Sequence, residues 1–459
     1  LTTRPSGDTV LLYGVAIAGA ALGRALTERG YRLVVADDQP DDRKRALAAE
    51  LGTELVEAPD ADAIARLVAV SSMVAPAPGV PETHPVVLAA LAADVPLRTE
   101  IDLAYEWEQQ RPGGPRPMIA VTGTDGKTTT TMMVASMLEA AGLRAAAVGN
   151  TEIPMVAALA EPVDAFAVEC SSFRLSWIRA FRADAAIWLN LAPDHQNWHT
   201  SMASYEEAKA SIWKHQLPTD VAIGWAGDEI VMRRLASSPG RHVTFGPAGS
   251  DYHLDADGMF AGPRGAFATP LSLSRRFPHD LSNALAAAAA CIESGLVPAD
   301  RIDDGLRAFR FPPHRIEPLG NHGGIEWYND SKATSPHAAR TAIRSFDSLV
   351  LIAGGRNKGL DLSSLADDID RIAAVVAIGE SAADVEAVFA GRRPVAVAHS
   401  MSDAVTAAAV LASPGDVVLL SPACASFDWY PQGGYPARGD DFRRLVDELP
   451  NTRTTGGNS

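Results

Sequence analysis

The chain has 459 residues, 47% of them hydrophobic and 21% charged, with a formal net charge of −16. That length suits about three domains with sizeable cores, and the excess of acid argues against a general nucleic-acid-binding surface. The three cysteines, Cys170, Cys291 and Cys424, are far apart in the chain, so neither a disulfide framework nor a zinc site is expected, and a reducing cytoplasm is. No apolar run approaches the roughly 18 residues a membrane helix needs, so no membrane insertion is expected, and the N-terminus shows no charged-then-apolar secretion signal.

The first predicted element is a strand over Thr9–Tyr13. Gly14-Val15-Ala16-Ile17-Ala18-Gly19 follows, then a helix to about Arg29 and a strand Leu33–Ala36 ending at Asp37-Asp38. This is a βαβ pattern with an acid placed where a ribose hydroxyl can be bound. The middle glycine of a dinucleotide fingerprint, which lets a pyrophosphate approach closely, is Ala16 here. A Rossmann-like nucleotide site therefore fits better than a dehydrogenase, and a plain α/β turn stays open on this pattern alone. A second turn, Ala75 to Pro81, ends another apolar stretch and is either structural or part of the same crevice. Arg111-Pro112-Gly113-Gly114-Pro115-Arg116-Pro117 has the composition of a linker.

Met118 to Val121 reads as a buried strand and Thr129 to Ala141 as a helix. Between them lie Gly123, Thr124, Asp125, Gly126, Lys127 and Thr128. Such a turn directs backbone N–H groups and a helix N-terminus at a polyphosphate. Lys127 can reach the β/γ-phosphates, and the Thr128 hydroxyl can ligate Mg²⁺. Only two residues separate Gly123 from Gly126, shorter than the usual phosphate-loop spacing, but strand, glycines, Lys-Thr and helix come in the required order. The pattern predicts ATP binding.

Further on, Glu169 ends an apolar strand, where a phosphate-loop protein places a Mg²⁺-binding acid. His195 follows a strand over Ala185–Leu189; a single histidine is more often structural than catalytic. Lys209 sits on a predicted helix, where a lysine is usually solvated. His279 to Asn283 reads as a cap ahead of an alanine-rich helix and can also reach a purine. Phe311 to Arg315 looks like a second joint. Beyond it strands are predicted at Leu349–Ala353, Ala374–Ile378, Val395–Ala398 and Val417–Leu420. Arg315, Asp330, Lys332, the glycine turn Gly354–Gly359 and Ser421–Asp428 fall near strand ends, where α/β proteins form ligand crevices. The fold class read from the chain is α/β with mostly parallel sheets.

Together the strings Thr122-Gly-Thr-Asp-Gly-Lys-Thr-Thr129, Glu169-Cys-Ser-Ser-Phe-Arg-Leu175, Asp194-His195, His314-Arg315, Asn329-Asp-Ser-Lys-Ala-Thr334 and Ser421-Pro-Ala-Cys-Ala-Ser426 resemble the ATP-dependent Mur ligases of peptidoglycan synthesis, and most of all their glutamate-adding branch. The resemblance spans nearly the whole chain. It implies three domains: a Rossmann-like UDP-sugar domain (1–113), a central phosphate-loop ATPase (114–311) and a Rossmann-like amino-acid domain (312–459). It implies attack of the carboxylate of UDP-N-acetylmuramoyl-L-alanine on the γ-phosphate of ATP, followed by displacement of phosphate by glutamate, D-glutamate first and L-glutamate as the alternative. A folate polyglutamylating ligase is the further alternative.

The resemblance also assigns residues. Gly123, Thr124, Gly126, Lys127, Thr128, Thr129, Asn283, Arg315 and Asp330 would bind the nucleotide. Thr128, Glu169, His195 and a carbamylated Lys209 would hold two Mg²⁺ ions. Lys127, His195, Lys209 and Lys332 would be catalytic. Ile17, Ala18, Asp37 and Asn150 fall on the UDP-sugar side, and Thr334, Lys358, Ser426, Phe427 and Tyr435 on the glutamate side. A monomer is expected. The chain departs from the family pattern at Asp125, Asp280, Ala77, the residues after His195, and the segment Phe427 to Arg438, which is about two residues longer than usual and bears on the glutamate enantiomer.

Overall fold

A computed structural model describes residues 8–449. They fall into two compact units, the first ending at Phe309 and the second beginning at Arg310. The first unit holds two sheets. Strands β1 (Thr9–Tyr13), β2 (Arg32–Asp37), β3 (Leu55–Glu57) and β4 (Met73–Pro76) form a parallel sheet in the order β3-β2-β1-β4. Crossover helices such as Ile17–Glu28 and Ala61–Ala69 connect them, as parallel pairing requires.

The second sheet has nine strands: β5 (Met118–Thr122), β6 (Ala145–Gly149), β7 (Ala165–Glu169), β8 (Ala185–Trp188), β9 (Val221–Trp225), β10 (Arg241–Gly246), β11 (Tyr252–Leu254), β12 (Phe260–Gly262) and β13 (Gly265–Ala268). Their order is β13-β12-β11-β10-β9-β8-β5-β7-β6, with antiparallel pairing only at β11-β12-β13. β5 is central and buried along its length, and its continuous apolar run is what a strand covered on both faces needs. It pairs with β7 and β8, so the residues after all three strands emerge at one edge.

One continuous core runs from Val10, Leu12 and Leu26 of the first sheet through Met118, Phe166 and Trp188 of the second. The Arg111–Pro117 stretch, expected as a linker, is mostly exposed but is anchored at Arg116. Arg116 is buried on Glu108 at 2.7 Å, donates to the carbonyls of Leu159 and Glu161, and lies over the Phe166 ring. A buried pair of this kind resists the loss of either partner by about 3–5 kcal/mol.

The second unit carries β14 (Glu317–His322), β15 (Ile325–Asn329), β16 (Leu349–Gly354), β17 (Ile372–Ile378), β18 (Val395–Val397) and β19 (Val417–Leu420) in the order β14-β15-β19-β16-β17-β18. Only β14 pairs antiparallel. No helix among the described residues is long and apolar enough to cross a membrane.

Candidate active site

The turn after β5 is shaped by two glycines and an asparagine. Gly126 caps the helix Lys127–Ala140 in the left-handed region, φ +81°. A Cβ there would lie 2.6 Å from Asn283 Oδ1, and one on Gly123 would lie 2.9 Å from Leu189 Cβ, so both positions require glycine. Asn190, just beyond β8, accepts the N–H groups of Thr124 and Asp125 with one Oδ1, each at 2.9 Å. That leaves the following N–H groups and the helix N-terminus to face an anion. Lys127 folds over the turn, its Nζ 2.9 Å from the Gly123 carbonyl and 2.7 Å from that of Thr124.

Lys209 is the largest departure from expectation. It lies on the helix Met202–Ala210 as predicted, but it is 1% exposed rather than solvated. Its Nζ donates to the Gly123 carbonyl at 2.5 Å and sits 4.5 Å from the centre of the Tyr205 ring. Burial, reinforced by the Lys127 charge, pushes its pKa well below that of an ordinary lysine. The amine is thereby held toward its neutral, nucleophilic form. Tyr205 also shares a hydrogen bond with the Thr124 hydroxyl at 3.1 Å.

His195 follows Asp194 in a left-handed conformation, φ +55°, which is uncommon outside glycine and frequent at functional sites. Its ring packs edge-on against Phe173. Burial, with Lys127 and Lys209 adding to it against the opposing Asp194, draws its pKa down to about 4. A neutral imidazole is the form that binds metal. Glu169 ends β7; its Oε1 accepts from Asn150 at 3.0 Å, while Oε2 is buried with no partner. A buried carboxylate oxygen without a donor is costly and suits a cation. No cluster of three or more His, Cys, Asp or Glu that would hold a metal exists among the described residues. Mg²⁺ needs no such cage, since one or two carboxylates plus substrate phosphates suffice, and Thr128 with Glu169 fit that pattern.

The segment His279 to Asn283 lies inside the helix Pro278–Glu293, not ahead of it. Asp280 is fully buried, takes a bidentate ion pair from Arg275 and accepts the Phe277 N–H. It is therefore committed to the helix start, while Asn283 faces the phosphate turn.

At the first sheet, Gly14 (φ +87°) and Gly19 let the Ile17–Glu28 helix approach β1; a Cβ on Gly19 would meet the Gly14 carbonyl at 2.1 Å. Asp37 accepts the Val15 and Gln39 N–H groups and pairs with Lys44 at 2.7 Å, so its carboxylate holds the turn itself. The turn borders a cavity of about 510 Å³ that Ile17, Ala18, Asp37 and Arg174 also line. Asn150 lies beside Glu169.

In the second unit, Asp330 follows β15 and accepts from the Ser421 hydroxyl at 2.7 Å and from the Ile316 N–H. Lys332 Nζ lies 5.2 Å from the centre of the Tyr435 ring. Ser331 bonds the Tyr435 carbonyl and the buried Arg438. Ser426 is buried and Phe427 half-exposed. Lys358 lies in the loop after β16, and Thr334 in the turn after β15. Sequence reasoning overlooked Asn190, Tyr205 and Arg174 as working residues. Asn190 was detectable as an amide at a strand end; the other two had no local signal.

The fold and these turns define an α/β protein with a phosphate loop and a second nucleotide-type turn in one unit. The Mur ligase middle domain profile matches residues 121–291, and that of the Mur ligase glutamate ligase domain matches residues 314–424. UDP-N-acetylmuramoylalanine–D-glutamate ligase of Frankia casuarinae is 42% identical over 471 residues, covering 97% of this chain and 96% of the relative. The enzyme of that name from Streptomyces coelicolor is 36% identical over 97% and 98% of the two chains. The chain belongs to the Mur ligase family. Among solved structures, UDP-N-acetylmuramate-alanine ligase MurC from Thermotoga maritima shares the fold with a TM-score of 0.59 at 18% identity, covering 96% of this chain and 99% of that one. The bifunctional folylpolyglutamate synthase/dihydrofolate synthase from Yersinia pestis has a TM-score of 0.55 at 16% identity, with 72% and 90% covered.

Proposed function

We propose that the chain joins D-glutamate to UDP-N-acetylmuramoyl-L-alanine with hydrolysis of ATP to ADP and phosphate, in cytoplasmic peptidoglycan precursor synthesis. The observation that carries the reading is the phosphate turn with Lys127 and Lys209 converging on Gly123, in a chain that matches glutamate ligases over almost its full length. A carboxylate is a poor electrophile. One of its oxygens attacks the γ-phosphorus, ADP leaves, and the acyl phosphate carries a good leaving group. The glutamate amine then attacks the acyl carbon, a proton is lost from nitrogen, and inorganic phosphate departs to leave the amide.

Gly123, Thr124, Gly126, Lys127, Thr128 and Thr129 cradle the phosphates, and Lys127 offsets charge as it builds on the transferred group. Asn283, Arg315 and Asp330 take the rest of the nucleotide. Mg²⁺, when bound, would supply electrostatic stabilisation of the phosphoryl oxygens, with Thr128 and Glu169 holding one ion and His195 and Lys209 serving a second. For that role Lys209 is carbamylated: its neutral amine adds to CO₂ and loses a proton, which turns a cation into an oxygen donor. The lowered lysine pKa supports this step. Residues 1–113 take the UDP-sugar through Ile17, Ala18 and Asp37, with Asn150 beside it. Residues 114–311 take ATP. Residues 312–459 take glutamate through Lys332, Thr334, Lys358, Ser426, Phe427 and Tyr435. We read the enzyme as a monomer, which size-exclusion chromatography tests.

The decisive experiment is ADP release from purified protein given ATP, Mg²⁺, UDP-N-acetylmuramoyl-L-alanine and each glutamate enantiomer. Turnover that needs the muramyl acceptor and D-glutamate is expected. Turnover with L-glutamate alone would transfer the reading to the other enantiomer, and a folate-dependent rate without the nucleotide sugar would remove it.

A further inference from the structure

The cavity at the Gly14–Gly19 turn is lined by Asp37, Asp38 and Arg174 among its charged residues. Arg174 is thus the one cation among its described lining residues. Asp37 is paired with Lys44 at 2.7 Å, and Asp38 is hydrogen-bonded by the Tyr13 hydroxyl and lies 2.9 Å from His84 Nε2. Arg174 comes from the short helix Ser172–Leu175, five residues beyond Glu169, and its side chain is 6% exposed. Nη1 donates to Glu100 Oε2 at 2.7 Å, and Glu100 Oε1 is itself fixed by the Val156 N–H at 2.7 Å. Nε is buried with no partner.

A guanidinium carries five N–H donors in a rigid fork. Glu100 engages one end of that fork and leaves a buried donor unmet, which in a native structure calls for a functional or bound-solvent explanation. Across the cavity, the Ile17–Glu28 helix begins at Ala16, which offers no side-chain cap. Its first N–H groups are therefore available to an anion. A helix N-terminus and a fixed arginine on one cavity suit a ligand with two adjacent phosphates, since the fork binds phosphate oxygens bidentately.

We propose that Arg174 binds the diphosphate of the nucleotide sugar and makes this pocket selective for a nucleoside diphosphate over a nucleoside or a nucleoside monophosphate. The inference rests on the reading of the cavity as the nucleotide-sugar site, and it adds a specificity-determining residue to it. Glu100 is the positioning residue. It holds the fork in one orientation, and because it is itself buried it keeps the local charge near balance until the ligand arrives.

The test is calorimetric binding of uridine, UMP and UDP to the full chain and to three variants: Arg174→Lys, Arg174→Gln, and Arg174→Gln with Glu100→Gln. The double variant spares the buried carboxylate from being left unpaired, and its thermal unfolding midpoint checks that it folds. The ratio of UDP to uridine affinity should fall about tenfold or more in both glutamine variants, the scale of a lost charge-assisted hydrogen bond. It should fall less in Arg174→Lys, which keeps the charge without the fork. Uridine binding itself should not move. A ratio unchanged across the folded variants overturns the role of Arg174 and leaves the pocket assignment standing. Wild-type protein that binds none of the three ligands overturns the pocket assignment as well.

Discussion

The two glycine turns of the first unit use one backbone device in opposite electrostatic settings. Each follows a parallel strand, each opens a helix without a side-chain cap, and each needs glycine where the chain turns back on itself. At the turn after β5 the neighbouring side chains are two lysines, Lys127 and the buried Lys209, which bond its carbonyls. At the turn after β1 the neighbour is an acid, Asp37, which accepts its N–H, and the cation is Arg174 across the cavity. Backbone geometry leaves both helix N-termini open to an anion, and in the proposed reading the surrounding charges decide which phosphate ligand suits each one. The first setting suits a triphosphate whose γ-group must be transferred. The second suits a ligand that is held without reacting.

The largest test of that contrast is Lys127→Ala. It should lower turnover by about 10²–10³-fold, the scale of losing one preorganised stabilising group, while UDP affinity stays at its wild-type value. A variant that turns over normally would break the assignment of the transferring turn. Next is Lys209→Ala, which should lose most activity and regain part of it with formate or acetate, small acids that replace the carbamate oxygens. Wild-type protein equilibrated with ¹³C-bicarbonate should show a carbamate carbon resonance that this variant lacks. Absence of both effects would remove the modification.

Gly126→Ala should raise the KM for ATP and destabilise the first unit by about 1–2 kcal/mol, the usual cost of a left-handed alanine, with the clash against Asn283 adding to it. Unchanged ATP affinity would show that the turn tolerates a side chain. Asp37→Ala should act only at the other turn, raising the KM for the nucleotide sugar several-fold with kcat retained. A fall in kcat with no change in KM would contradict a holding role.

The smallest effect is expected from pH. The folded His195 pKa of about 4 lies below the ordinary histidine value, so the imidazole is neutral across pH 5–8. Its contribution to folding is fully present above about pH 6.5 and is lost as pH falls toward 4. NMR titration of the ring should show the low pKa, and the activity profile should lack an acid limb near 6.5 that Asn substitution at this position removes. A ring titrating near 6.5 would contradict the buried setting.

Much of this was readable before folding. Continuous apolar runs marked β5, β7 and β19, because strands covered on both faces carry no polar alternation. The Gly-Lys-Thr string declared the phosphate turn because an apolar strand precedes it and a helix follows it. Other features were not readable. A helical lysine looks the same in sequence whether solvated or buried, so Lys209 stood out only through the family resemblance. His279 to Asn283 carried cap-like residues, but the helix starts ahead of them, at Pro278. The proline-rich stretch before β5 had linker composition, yet Arg116 found Glu108 and two carbonyls.

Local chemistry along the chain thus settled the kind of protein: where strands precede glycine turns, which turn carries a lysine, and that the excess of acid leaves phosphate to be bound by a few placed groups. Folding settled the environments. Lys209 is held toward neutrality because folding buries it and brings the Lys127 charge near it, and Arg174 is oriented by Glu100, distant in sequence. Both depend on burial and on charges brought from remote positions, and a pKa or a guanidinium orientation responds to distance in space, which the order of residues does not encode locally.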